Sequence, residues 1–254
     1  MFKWIAYGIA AIAVVLLAPL LWIALDESAG QLPDSGLPWQ IEQIAPGQTR
    51  AFSLQPGVST LQEAIDQFGR DVEVAIVVAP GKPASLEAYF EDTRAGFITG
   101  RATVTVDIGQ DALQAMRARA LKEAYMESTT RKITLHPDDL ATARALPIVA
   151  IGFMPTADLD EAIILQRFGE PASTISSHAH LTHYLYPEKG LHIALDLRGK
   201  ELLQYVAPRD FARLQQPLEL EAATHTGEAP GEPPDTEPGE TLEPDDDAAK
   251  VQAE

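Results

Sequence analysis

The sequence predicts an α+β protein: an N-terminal transmembrane helix, then two tandem modules each made of a helix and an antiparallel sheet, then a disordered acidic tail. Three observations lead there. An uncharged apolar run, Ile5 to Leu25, opens the chain. A pattern of capped helix, Phe-Gly and alternating strands occurs twice. The stretch Gly227 to Glu254 is dominated by Glu, Asp, Pro and Gly. The expected divisions are an anchor at 1–27, a linker at 28–47, a first module at 48–146 with an inserted helix at about 110–128, a second module at 147–220 and the tail at 221–254.

The apolar run is long enough to reach about 30 Å as a helix, one hydrocarbon core. A cleaved signal peptide is the alternative, but its apolar region is typically about 7 to 15 residues, and only Ser28-Ala29-Gly30 approximates a cleavage site. Pro19 is tolerated better in a membrane helix than in a soluble one. Lys3 precedes the run and Asp26-Glu27 follow it. The N-terminus therefore stays inside and the bulk crosses, which places a single-pass protein in a bacterial inner membrane with most of its chain periplasmic. Gln31 to Pro46, with prolines at 33, 38 and 46, reads as a linker.

Phe52-Ser53-Leu54-Gln55-Pro56 and Ile151-Gly152-Phe153-Met154-Pro155 both read as a short strand ending in proline. Helix caps follow at Ser59 or Thr60 in the first copy and Asp158 in the second, through Ser59-x-x-Gln62, Thr60-x-x-Glu63 and Asp158-x-x-Glu161. The helices close with Phe68-Gly69 and Phe168-Gly169, 100 residues apart. Strand patterns follow at Val72–Val78, Leu86–Phe90 and Phe97–Ile108, and again at Ala172–Ser177, Leu181–Tyr186 and Leu191–Leu197. Each series reaches a strand, a proline and a short helix: Ile133 to Ala141 matches Gln204 to Ala212 as Pro-x-Asp-Leu/Phe-Ala. The first copy is longer by an insertion, where Leu113, Met116, Ala120, Leu121 and Ala124 recur at helical spacing and predict a helix over Ala112–Tyr125. One topology is expected for residues 51–141 and 148–212.

The repeat unit resembles the small α+β module of the BamE/SmpA/OmlA lipoproteins of the outer-membrane barrel-assembly machinery, and the tandem form is similar to β-lactamase inhibitor proteins. The residues that carry this are Pro56-Gly57-x-Ser59 to Phe68-Gly69, and Asp158 to Phe168-Gly169-Glu170-Pro171 with Tyr184 and Tyr186 in the strands after it. As a whole the chain looks like a proteobacterial envelope protein. The resemblance implies a module that binds other proteins and carries no catalytic residues. Two departures are that the chain has no lipidation cysteine, so the anchor is a helix, and that Arg70-Asp71 stands where the family often has a proline.

Composition narrows the chemistry. With 19 basic against 37 acidic residues and a formal charge of −18, nucleic acid is not an expected partner, because phosphate neutralisation needs Lys and Arg. Cysteine is absent, which excludes disulfides, thiol nucleophiles and Cys-ligated metals. Gly227 to Glu254, with ten acidic residues and Lys250 as its only basic one, cannot bury enough apolar surface to order itself. No Gly-x-Ser-x-Gly elbow, dinucleotide fingerprint or Walker pattern occurs. Asp138-Asp139 after Pro137 reads as a first helical turn and not as an acid/base pair.

Histidines 178, 180, 183 and 192 crowd into fifteen residues. If Leu181 to Tyr186 is a strand, period two sets His180, Tyr184 and Tyr186 on one face and His183 with Leu181 and Leu185 on the other. His192 likewise faces away from Leu191, Ile193 and Leu195. No catalytic, cofactor-binding or metal-ligating set emerges, and no cofactor is expected. Tyr184, Tyr186 and Tyr205 read first as cross-strand packing partners, but tyrosines exposed on a sheet face also make binding hot spots, and on that reading His180, Tyr184 and His192 are the candidate contact surface. The expected function is that of a membrane-anchored binding or scaffold protein with an envelope protein as partner. The alternative is a hydrolase or metal-dependent enzyme using the histidine-rich second module.

Overall fold

The computed structural model describes residues 36–126 and 129–225. The expected anchor, the first part of the linker and the tail from residue 226 lie outside the described residues. Among the described residues no helix is long and apolar enough to cross a membrane.

A hairpin of β1 (Glu42–Ala45) and β2 (Gln48–Arg50) leads into α1 (Leu61–Phe68), β3 (Glu73–Val78), β4 (Ser85–Ala95) and β5 (Ile98–Val106). Then come α2 (Gln110–Ala118), β6 (Lys122–Tyr125), β7 (Arg131–Thr134) and α3 (Pro137–Arg144). The second half contains β8 (Ile148–Pro155), α4 (Glu161–Phe168), β9 (Ser173–His178), β10 (Leu181–Tyr186), β11 (Leu191–Asp196), β12 (Leu202–Val206) and α5 (Ala212–His225). All strands from β3 to β12 belong to one antiparallel sheet, ordered β6-β7-β3-β4-β5-β8-β12-β11-β10-β9. The α+β class therefore holds, with a large antiparallel sheet and few helices. Its halves are joined along β5 and β8, from Gly100↔Pro155 to Val106↔Ile148, with a register shift between Thr105 and Val106.

Local chemistry explains the elements. In α1, Thr60 is the cap, not Ser59: its hydroxyl accepts from Glu63 N at 3.2 Å while Glu63 accepts from Thr60 N at 2.6 Å, a reciprocal box. In α4 the cap is Asp160, not Asp158, through a bond from Ile163 N at 2.7 Å. Asp158 instead pairs with Lys200 at 2.8 Å. Both helices end at the expected Phe-Gly, and their apolar faces, Leu61, Ala64, Ile65 and Phe68 in one and Ile164 and Phe168 in the other, are buried. The inserted segment departs from expectation: α2 stops at Ala118, and Lys122–Tyr125 is the edge strand β6, with Leu121 and Tyr125 exposed. The linker also ends sooner. Leu37 is buried, and Trp39 packs edge-on to Phe97 and Phe168.

Strand order corrects the expected duplication. The matched strands β7 and β12 take different places: β7 pairs with β3, the first strand of its meander, whereas β12 pairs with β11, the last strand before it, and with β8. The two halves thus share a helix-then-meander pattern without sharing a linear topology.

Phe52-Ser53 is not a strand. Ala51 and Leu54 exchange backbone hydrogen bonds at 2.9 and 2.8 Å, and the two residues between them turn the chain with φ of 53° and 63°. That region costs roughly 1–2 kcal/mol per non-glycine residue. It is offset by where the Phe52 ring goes: against Phe68 of α1 at 5.6 Å, Phe153 of β8 at 5.4 Å and Tyr205 of β12 at 4.9 Å between centroids. Two stability predictions separate these effects. Phe52→Ala should lower unfolding stability by about 3–5 kcal/mol, as for other buried aromatic truncations. Ser53→Gly should raise it by up to about 1 kcal/mol, because the left-handed conformation is free for glycine. Denaturant melts of both variants check the pair.

Candidate functional site

Alternation along the strands gives the sheet two unlike faces. One carries Leu86, Phe90, Val104, Ile151, Phe153, Ile193 and Tyr205 into the core beneath α1 to α4. The opposite, outer face has different cover in its two halves.

Over the second half, α5 lies on the sheet. Phe211 at its start, with Leu214 and Leu218, packs on Leu185, Val206, Ile175 and Ala150. Beneath it are two histidines, each only 4% exposed. They form the middle of a hydrogen-bonded chain across four neighbouring strands. Ser177 Oγ lies 2.9 Å from His183 Nε2, His183 Nδ1 lies 2.9 Å from His192 Nε2, and His192 Nδ1 lies 2.9 Å from Gln204 Oε1. With Gln204 presenting its oxygen, the protons follow: His192 donates from Nδ1 to Gln204, His183 donates from Nδ1 to His192, and Ser177 donates to His183. Each ring is then neutral and fully bonded.

The environment enforces that neutrality. Burial pushes His192 down to about 4, against the weaker upward pull of its bond to Gln204. Burial also lowers His183, with Glu221 of α5 pulling upward and His178 adding to the depression. A cation has no solvent there, so the proton is refused.

The expected contact surface does not assemble. Tyr184 is 4% exposed and points into the core opposite Ile193, so it cannot touch a partner. His192 sits on the outer face as period two requires, but under α5. His180 is in the turn before β10, 3.9 Å from Asp196. The alternation itself holds: His183 and Leu185 oppose Tyr184 and Tyr186. The acidic pair Asp138-Asp139 lies in the first turn of α3 as expected, and Asp139 is buried against Arg119. Among the described residues no group of three or more His, Asp or Glu is placed to hold a metal ion.

Over the first half, none of the described helices covers the outer face. Ala75 and Val77 of β3, Glu87 and Tyr89 of β4 and Thr103 of β5, with Thr130, Met126, Glu73 and Lys132, line a groove of about 530 Å³. Glu73 and Lys132 pair across it at 2.8 Å. A second groove of about 690 Å³ continues past them to the sheet edge at Lys122, Ala124 and Tyr125. Tyr89 donates to Glu91 and lies beside Arg101, and burial with the Glu91 bond raises its phenol. Sequence reasoning assigned none of these residues to a site; the signal was the alternation of Ala75, Val77, Tyr89 and Thr103 opposite an apolar set. No known protein family, curated protein or solved structure matches the chain.

A pH prediction follows from His192. In the unfolded chain it takes up its proton as pH falls through about 6.5, whereas in the fold it does so only near 4. Its contribution is therefore complete above 6.5 and is lost between 6.5 and 4, to the extent of roughly 3 kcal/mol. Thermal melts across that window should fall for the native sequence and fall less for His192→Gln. Parallel curves would remove His192 as the cause.

Proposed function

We propose that the chain is a membrane-tethered, periplasm-facing binding or scaffold protein of the bacterial cell envelope, and that it holds an envelope protein on the open outer face of β3, β4, β5 and β7. The observation that carries this reading is the groove beside Tyr89, Val77 and Thr103 on a sheet face that none of the described helices covers. Apolar floor, a tyrosine and paired charges at the margin are the mixture that reversible protein interfaces use. The apolar run Ile5–Leu25 after Lys3 supports the anchor and its direction. The likeness to BamE-type modules, carried by the helices ending in Phe68-Gly69 and Phe168-Gly169, supports an envelope role.

Photo-crosslinking in cells tests it. A crosslinker at Thr103 should give one discrete adduct, and Tyr89→Ala should weaken that adduct about tenfold, the effect of losing a hot spot of more than about 1 kcal/mol. A crosslinker at exposed Glu188, outside the outer face, should give none. The reading fails if Thr103 yields no adduct in a protein that is stably made, or if Tyr89→Ala leaves the adduct unchanged.

A second reading, hydrolysis, is favoured by one observation: Ser177 offers its hydroxyl to His183, which His192 orients in turn. That is a nucleophile, a base and a positioning group in order. Two facts weigh against it: Ser177 is 5% exposed, and burial weakens its base. A fluorophosphonate probe should leave Ser177 unlabelled at neutral pH; labelling that Ser177→Ala abolishes would establish the hydrolase instead.

A further inference from the structure

The outer face is closed over one half and open over the other, and the closing element is weakly built. α5 holds on through Phe211, Leu214 and Leu218, of which only Phe211 is fully buried. Pro217 within it supplies no N–H to the preceding turn, so its helical ladder is broken in the middle. Leu220 is exposed. Under this loosely held helix lies the hydrogen-bonded histidine pair, with ring centroids 5.1 Å apart.

The chain of bonds has room for one proton per link. If both rings were charged, His183 Nδ1–H and His192 Nε2–H would point at each other across 2.9 Å, losing the bond and setting two cations side by side. A single added proton fits only at His183 Nε2, and only if Ser177 turns its hydroxyl away toward His178 Nδ1, 3.4 Å distant. The groups that reach the pair are few. Glu221 comes from α5, His178 from β9 and the neutral Gln204 from β12; the His180–Asp196 pair stands two pairing positions from His183, with the His180 ring 5.8 Å from that of His178. Glu221 is the one carboxylate among those acting on His183, and it arrives with α5 itself.

We propose that α5 is an acid-released strap: it closes the outer face over β9 to β12 while Ser177, His183, His192 and Gln204 form their neutral chain, and protonation of the histidine pair frees it. Release extends the open groove of the first half across Ile175, Leu185 and Val206, so acid enlarges the surface offered to a partner. This rests on the reading of the outer face as the binding surface. The direction follows from linkage: whatever closes over the pair and refuses its proton is itself opposed by protons.

Hydrogen exchange on the full chain in detergent tests the strap without any partner. Amides of α5 and α1 are compared at pH 7.5 and 5.0 after correction for intrinsic rates. The expected result is exchange in α5 faster by about ten- to thirtyfold at pH 5.0, given a histidine held near 4 against an ordinary 6.5, with α1, which opens only with the whole fold, staying far more protected than α5 at both pH values. His183→Gln with His192→Gln should abolish the acceleration. Glu221→Gln, an exposed substitution that removes the one attraction favouring the charged ring, should enlarge it. The strap is overturned if α5 exchange does not change with pH, if α5 is as protected as α1 at pH 5.0 and so opens only with the whole fold, or if the glutamine pair leaves the acceleration intact. Those outcomes leave the crosslinking test of the open face standing, so the two readings fail separately.

Discussion

The position of one ring, Phe52, ties the molecule together. It touches α1 from the first half and β8 and β12 from the second, and no other side chain in its aromatic cluster bridges all three. Three aromatic contacts, each adding about 0.5–1.5 kcal/mol to the burial of a whole ring, outweigh the backbone conformation that delivers it. The flanking segment adds to the same junction. Tyr205 donates to Pro38 O at 2.9 Å, and the Arg167 guanidinium lies 4.7 Å from the Trp39 ring that Phe168 also contacts. Residues 37–54 thus act as a wedge under the β5–β8 seam, which is why a ten-stranded sheet behaves as one layer with one continuous core on its inner face.

That sheet has an order that the sequence hides. Counted outward from the seam, the first half runs β5, β4, β3, β7, β6 and the second β8, β12, β11, β10, β9. Followed along the chain, the second half visits these places as first, fifth, fourth, third, second, and the first half as third, second, first, fifth, fourth. The two are the same cycle entered at different points. In each, a helix carries the chain from the central strand to the outermost one, α2 after β5 and α4 after β8. The similarity of the two sequences is thus compatible with a shared cyclic arrangement and incompatible with a shared linear one.

Local structure was legible to the extent that it is locally determined. The spans of β3, β5, β10 and β11 and the Phe-Gly ends of α1 and α4 agree with periodicity and capping; of the two boxes read in the first copy the Thr60-x-x-Glu63 one forms, and the second cap moved two residues because Asp160 reaches Ile163 N. Pairing was not legible. Strands such as β7 and β12 have the same alternation, and parity alone permits either meander edge as neighbour. The segment Leu121–Tyr125 has a helical recurrence of apolar residues, yet backbone pairing with β7 wins because that pairing satisfies β7's free edge. For the site, period two placed His183 and His192 away from the core, but nothing local announced a cover. The helix that buries them carries Pro217, Glu219 and Glu221 among its apolar residues, so its inward face reads weakly.

Why α5 covers one half of the outer face and not the other comes down to charge. Over β3, β4, β5 and β7 the outer face carries Glu73, Glu87, Arg101 and Lys132, and a helix laid there would have to strip water from each of them. Asp196 of the same face stands at the strand end beside His180, while beneath α5 the places over β9 to β12 hold Ile175, Leu185, Gln204, Val206 and two histidines. Every one of these can be neutral, so three apolar side chains suffice to close it. The histidines are the only groups of that set able to change charge. A permanently charged residue in their place would have kept the helix off, and an apolar one would have fixed it there; imidazoles bonded in a neutral chain permit closure while keeping the surface conditional on the proton.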